Sequence, residues 1–156
     1  MTTKWDSRFL RIANEVATWS KDPSTQVGCV LVNEKRHIIS TGYNGFPRDV
    51  TDKKEWLGDR SVKYSMVIHA EVNAVLQTEG DCHGATAYVT HRPCANCSAV
   101  LVQSGIKRIV SFQPDVGLAE RFKDSFAIAD TLLHEAGVDV TLHETELWTG
   151  GNDAEK

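Results

Sequence analysis

Long apolar runs are missing from this sequence. Its longest stretches, such as Val27 to Val32, fall far short of the roughly 20 residues that cross a bilayer, so no membrane span is expected. The opening Met1-Thr2-Thr3-Lys4-Trp5-Asp6 lacks the charged segment, apolar segment and cleavage site of a secretory signal, and a cytoplasmic protein is expected. Cysteine is scarce, with four among 156 residues. Without a secretory signal these four read as thiols or metal ligands rather than as a disulfide framework. Positive charge is in no surplus either: 17 Lys and Arg stand against 21 Asp and Glu, for a net charge of -4. Proteins hold polymeric nucleic acid largely through Lys and Arg on phosphates, so a small-molecule partner is expected instead. Internal repeats, linkers and low-complexity tracts are absent. What is present is an ordinary globular composition, 41% hydrophobic and 24% charged. A chain of this length buries about two-thirds of its unfolded surface. Residues 1–156 therefore read as one domain, with a polar tail from about residue 144 that is expected to fray.

Trp5, Phe9, Ile12, Val16 and Trp19 recur at steps of three or four, which predicts an amphipathic helix over residues 5–20 with that stripe toward a core. Residues 26–32 are rich in β-branched side chains and Ile38-Ile39 continue the pattern after Asn33-Glu34-Lys35-Arg36, so an antiparallel hairpin is predicted. From Tyr43 to Tyr64 apolar periodicity fails and a long functional loop is expected. Residues 65–77 read as a helix, 85–90 as a strand, 95–104 as a helix ended by Gly105, and 106–112 as a strand. A long helix over 118–136, closed by Gly137, then leads to a last strand over 138–142. A helix of that length between two strands excludes a tight hairpin and favours a parallel crossover. The order αββαβαβαβ predicts an α/β fold: a mixed five-stranded sheet flanked by helices, with strands four and five parallel.

Pro93-Cys94-Ala95-Asn96-Cys97 falls where a strand ends and a helix begins. Cysteines three apart at a helix start project to one side, and the positive end of the helix dipole favours their thiolates. Such a pair either chelates a metal or shuttles a disulfide. The redox reading leaves His69-Ala70-Glu71 without a purpose. In the metal reading, His69, Cys94 and Cys97 supply three ligands to Zn²⁺ and leave a fourth position for water, the arrangement of a catalytic ion. His-x-Glu followed by Pro-Cys-x-x-Cys is a deaminase signature in which Glu71 moves protons and is not a ligand.

With these residues in place, the chain resembles the deoxycytidylate (dCMP) deaminases of the cytidine deaminase superfamily, from about Phe9 to Val140. Beyond the metal motif, the likeness rests on Ser20-Lys21-Asp22-Pro23-Ser24-Thr25-Gln26-Val27-Gly28, Gly42-Tyr43-Asn44-Gly45, Lys63-Tyr64 and Gln103-Ser104-Gly105-Ile106-Lys107. The resemblance implies the cytidine deaminase fold, one catalytic zinc per chain, and hydrolysis of dCMP to dUMP and ammonia in supply of thymidylate synthesis. It implies substrate contacts from Asn44, the Ala70 backbone, Thr25, Lys21 and Pro93, and phosphate or effector contacts among Arg48, Arg60, Lys63, Tyr43 and Gly45. It further implies a homo-oligomer, dimer or hexamer, switched on by dCTP and off by dTTP through the segment 43–64.

Each of these residues has a plainer reading. Asn44-Gly45 is also the commonest tight-turn pair, and the lysines and arginines are also ordinary surface charges. His91 and Arg92 either reach the substrate or cap a strand end. Cys82-His83 suggests a second, structural zinc, but two adjacent residues do not make a site. Cys29 reads as a core residue, and His37, His134 and His143 as bystanders. Phe122 and Phe126 read as core or subunit interface, and Phe46 and Phe112 as the aromatics that pack on a nucleotide. The rival substrates are free cytidine, dCTP, a tRNA adenosine and a pterin or riboflavin precursor; the parallel last strand and the acidic charge weigh against the first and third. The rivals of another class are a nucleotide-sensing module without catalysis and a dithiol redox protein.

Overall fold

The structure is a computed structural model that describes residues 3–144. The predicted tail lies, but for Glu144, outside them. The first helix, α1 (Lys4–Ala17), starts on a reciprocal cap: Thr3 Oγ accepts the Asp6 N–H at 3.1 Å and the Asp6 carboxylate accepts the Thr3 N–H at 2.8 Å. It buries Phe9, Leu10, Ala13, Val16 and Ala17. The helix ends before Trp19, which is half exposed and edge-on to Tyr43, and Ile12 is also exposed. The predicted stripe is thus corrected at both residues: Trp19 lies past the last helical turn, and Leu10 and Ala13 hold the inner face.

Strands β1 (Gly28–Val32) and β2 (Ile38–Tyr43) form the predicted antiparallel hairpin. In its connection Asn33 Oδ1 accepts the N–H groups of Lys35 and His37, both at 3.0 Å. The predicted loop over 43–64 instead contains α2 (Lys54–Gly58) and the start of α3 (Arg60–Met66), the latter capped by Asp59. These helices left no periodic signal because α2 buries no side chain and α3 buries only Lys63. The predicted helix over 65–77 is likewise two pieces. Val67 is extended, Ile68 pairs with Gly45 through hydrogen bonds of 2.8 and 3.1 Å, and α4 (Ala70–Leu76) begins only after His69.

Then follow β3 (Thr86–Val89), α5 (Ala95–Gln103), β4 (Arg108–Phe112), α6 (Val116–Arg121), α7 (Lys123–Glu135) and β5 (Asp139–His143). Phe122, off helical geometry at φ -105° and ψ 16°, splits the predicted helix over 118–136 into α6 and α7. The sheet order is β2-β1-β3-β4-β5. β1 runs antiparallel to β2 and β3, whereas β3, β4 and β5 run parallel, as predicted for the last pair.

Residues alternate across β1. Val30 and Val32 join Phe9, Leu10, Tyr88 and Val110 under α1, while Cys29 and Leu31 join Ala70, Ala74, Leu101 and Leu133 under α4, α5 and α7. Cys29 is therefore the core residue expected. Two glycines permit this closeness. A Cβ on Gly28 would lie 2.0 Å from the Ala13 carbonyl oxygen in α1, and one on Gly42 would lie 2.3 Å from the Ala70 oxygen and Ala74 nitrogen in α4. A buried ionic cluster fastens α1 across the sheet. Arg108 donates to both Asp6 oxygens at 2.7 and 2.9 Å, and the Tyr88 hydroxyl donates to Asp6 at 3.0 Å. Burial pushes the Asp6 carboxyl up, but the bonds from Arg108, Thr3 and Tyr88 outweigh it and hold it below the usual carboxylate value.

Candidate active site

The starts of α4 and α5 meet on one face of the sheet, and the metal motif sits on both. His69 is the residue before α4; Ala70 and Glu71 open that helix and are buried. Cys94 caps α5, its Sγ accepting the Cys97 N–H at 3.5 Å, and Cys97 is buried one turn in. His69 Nδ1 lies 3.2 Å from Cys97 Sγ and 3.8 Å from Cys94 Sγ, and all three donor atoms lie within 4.8 Å of one another. A tetrahedral zinc with bonds of about 2.3 Å to sulfur and 2.0 Å to nitrogen has nitrogen–sulfur edges of about 3.5 Å. The two observed edges bracket that value, so two thiols and an imidazole fit zinc in both chemistry and spacing. Among the described residues this is the only group of three or more His, Cys, Asp or Glu so placed. A dithiol redox pair would not require an imidazole there. Cys82, by contrast, is buried against the Ser104 carbonyl and His83 packs by Gly105, so neither joins a cluster.

The protons in this group are already redistributed. Hydrogen bonds from Cys97 and His69 hold the Cys94 thiol down to about 4 against the effect of burial. The bond to Cys94, together with burial, pushes Cys97 well up. His69 is raised by its hydrogen bond to Cys94 and by the nearby Glu71. Burial raises Glu71, partly offset by its backbone hydrogen bond and by His69. A divalent cation bound by both sulfurs would displace the Cys97 proton.

The site opens into a cavity of about 220 Å³. Of the residues expected at substrate or phosphate, Thr25, Asn44, Arg60, Lys63 and Ala70 line it. Lys21, Tyr43, Gly45, Arg48 and Pro93 do not. Lys21 is exposed and paired with Asp52 at 2.8 Å, Tyr43 faces Trp19, Gly45 is bridged to Ile68, Arg48 is exposed, and Pro93 is buried behind Cys94. Asn44 is not a tight-turn residue. Its Oδ1 accepts the Val27 N–H and its Nδ2 donates to the Thr25 carbonyl, both at 2.8 Å, so it braces the segment that carries Thr25 and Val27.

Phe126 is the core residue expected, yet it also borders the cavity, and the aromatics expected there do not. Phe112 is buried on the α1 side against His143, and Phe46 does not reach the cavity, whereas Phe122 and Phe126 line it. Their distance in sequence from the metal motif hid this, because α6 and α7 return over the site. His91 and Arg92 also line the cavity. Burial lowers His91, partly offset by the nearby Asp115 carboxylate. Arg121 and Leu118 were missed, since nothing in their spacing marks them.

Two of the four Lys and Arg side chains at the cavity, Lys63 and Arg92, are spent on carboxylates. Lys63 donates to Ser24 at 2.8 Å and to Asp22 at 3.4 Å, and Arg92 pairs with Asp130. Asp22, though raised by burial, is held below the usual value by the N–H groups of Ser24 and Thr25. Arg121 donates to the Tyr64 hydroxyl at 2.9 Å, and among the described residues no carboxylate pairs with Arg121 or Arg60. The unspent positive charge of the cavity therefore lies with these two arginines.

Residues 3–113 match the family described as the cytidine and deoxycytidylate deaminase zinc-binding region. An uncharacterised deaminase from the luxG 3′ region of Aliivibrio fischeri is 39% identical over 141 residues, covering 90% of this chain and 95% of its own. Human deoxycytidylate deaminase is 32% identical over 143 residues, covering 86% and 77%. Among solved structures, the dCMP deaminase of cyanophage S-TIM5, in complex with dCMP and dUMP, aligns with a TM-score of 0.73 at 23% identity, over 92% of this chain and 99% of that one. The family match over residues 3–113 spans His69, Glu71, Cys94 and Cys97, and the chain belongs to the cytidine and deoxycytidylate deaminase family.

Proposed function

We propose that the chain catalyses the hydrolytic deamination of dCMP to dUMP and ammonia, with one zinc held by His69, Cys94 and Cys97. The observation that carries the reading is the approach of these three donors beside a buried carboxylate, Glu71, in a cavity whose unpaired charges are two arginines. Zinc, when bound, supplies Lewis-acid activation that makes water nucleophilic at neutral pH.

Glu71 does the proton work. It takes one proton from the attacking water and delivers it to ring N3, which readies C4 for the hydroxyl. It then moves the remaining hydroxyl proton to the exocyclic amine, so that ammonia leaves and the uracil carbonyl remains. Its raised proton affinity suits a carboxyl that must both accept and give. Ala70, the first residue of α4, has an N–H without a helical partner and orients the pyrimidine. Thr25 and the braced Asn44 line the sugar side, Phe122 and Phe126 exclude water, and Arg60 and Arg121 meet the phosphate. Lys63 serves indirectly, by holding the Asp22–Ser24 turn.

The reading extends to a cytoplasmic location, expected from the sequence, and to a homo-oligomer regulated by dCTP and dTTP, expected from the family resemblance. A panel of dCMP, CMP, deoxycytidine and dCTP on zinc-loaded protein, followed by ultraviolet loss and ammonia release, tests the substrate. dCMP should have the highest kcat/KM, and a preference for deoxycytidine or dCTP would overturn the assignment. A dCMP saturation curve unmoved by either triphosphate would remove the regulation.

A further inference from the structure

Helix α7 attaches to the chain on both sides of Cys94. On the downstream side the Ala95 N–H donates to Ser125 Oγ at 2.9 Å. On the upstream side the Arg92 guanidinium lies 4.7 Å from the centre of the Phe126 ring and pairs with Asp130. Phe126 and Asp130 are four residues apart and so share one face of the helix. Between these two attachments stand only Pro93 and Cys94.

The Cys94–Ala95 peptide is held at each end. Its carbonyl accepts the Ser98 N–H at 2.9 Å within α5, and its N–H is taken by Ser125 from outside. Fixing that plane restrains the Cys94 backbone, observed at φ -70° and ψ 172°, and with it the direction of Cβ, from which Sγ turns to accept the Cys97 N–H. The first N–H groups of a helix have no partner of their own, so the bond to Ser125 is the external constraint available to this peptide.

We infer that Ser125 is a positioning residue for the metal site, with Asp130 as its counterpart on the other side of the turn: α7 aims the Cys94 sulfur by holding the backbone around it. This rests on the zinc reading above. Partners one bond removed from metal ligands typically change metal affinity by about 10- to 100-fold when lost. Ser125 acts through backbone, so the lower end, about 10-fold, is expected.

The test loads full-length wild-type, Ser125→Ala, Ser125→Thr and Asp130→Asn proteins with zinc and follows release to a chromogenic chelator, with thermal unfolding of each sample alongside. Thr131→Ala, on the same helix with its hydroxyl bonded to the Ala127 carbonyl, is the control. Release should be about 10-fold faster in Ser125→Ala, clearly faster in Asp130→Asn, and near wild type in Ser125→Thr and Thr131→Ala. Wild-type release rates in both Ser125→Ala and Asp130→Asn would overturn the inference while leaving the zinc reading intact. A wild-type protein that takes up no zinc would overturn both. Faster release in Thr131→Ala as well would reduce the effect to general loosening of α7 and overturn the positioning role.

Discussion

Replacing Gly42 by alanine probes the join between the sheet and the catalytic helix. The new Cβ would meet the Ala70 oxygen and Ala74 nitrogen at 2.3 Å and the Ala74 Cα at 2.9 Å. All three are backbone atoms, which no rotamer change can move aside. Restoring ordinary contact requires α4 to retreat from β2 by roughly 1 Å. Overpacking of this kind costs about 1–3 kcal/mol. The displaced carbonyl belongs to Ala70, between His69 and Glu71, so the shift passes straight into the site, and a misplacement of about 1 Å there costs on the order of 100-fold in rate. Urea unfolding, zinc stoichiometry and kcat/KM on dCMP read the two effects separately. Gly58→Ala meets no atom within 4 Å and should be neutral or slightly stabilising. Gly28→Ala presses on α1 instead and should lose stability, while its folded fraction keeps zinc. A Gly42→Ala protein with wild-type stability and turnover would refute the reasoning.

Glu71→Gln should retain zinc and fold normally while kcat falls by about 10²- to 10⁴-fold; substantial turnover in that variant would remove Glu71 from the proton transfers. Arg121→Ala should raise KM for dCMP by about 10-fold and leave deoxycytidine kinetics unchanged, because a charged hydrogen bond is worth about 1.5–3 kcal/mol; an equal loss on both substrates would contradict the phosphate role. Asp6→Asn should destabilise the fold by about 3 kcal/mol at pH 7, since it breaks a buried pair. The folded Asp6 carboxyl lies below its unfolded value, so its contribution is present above the unfolded pKa and is lost as pH falls through the folded one. The stability gap between wild type and Asp6→Asn should therefore close on acidification below about pH 4, and a gap independent of pH would exclude the ionic account.

The chemistry was legible because its parts are local. His69 with Glu71, and Cys94 with Cys97, each lie within a single helical turn, and only the meeting of the two turns had to be supplied by the fold. The strands were legible from their β-branched content, and the last crossover from its length. The two short helices α2 and α3 were not, because between them they bury only Lys63. The break at Val67-Ile68 was hidden by apolar residues that satisfy a helical period as readily as an extended one. Charge pairing was also out of reach: Lys63 finds its carboxylate 41 residues away, which no local pattern reveals. Phe122 and Phe126 show the limit of judging by distance along the chain.

The interruption at Phe122 separates two duties that one continuous helix would have joined. α7 keeps Phe126, Ala129 and Leu133 in the interior, whereas α6 buries no side chain yet brings Leu118 and Arg121 to the cavity. Substitutions on an exposed helix of this kind usually change stability by no more than about 0.5 kcal/mol. Selection can therefore alter what the cavity admits, residue by residue along α6, without disturbing the sheet or the cysteine turn. With Arg121 at the phosphate, as proposed, substrate range would be an evolvable property set apart from the chemistry.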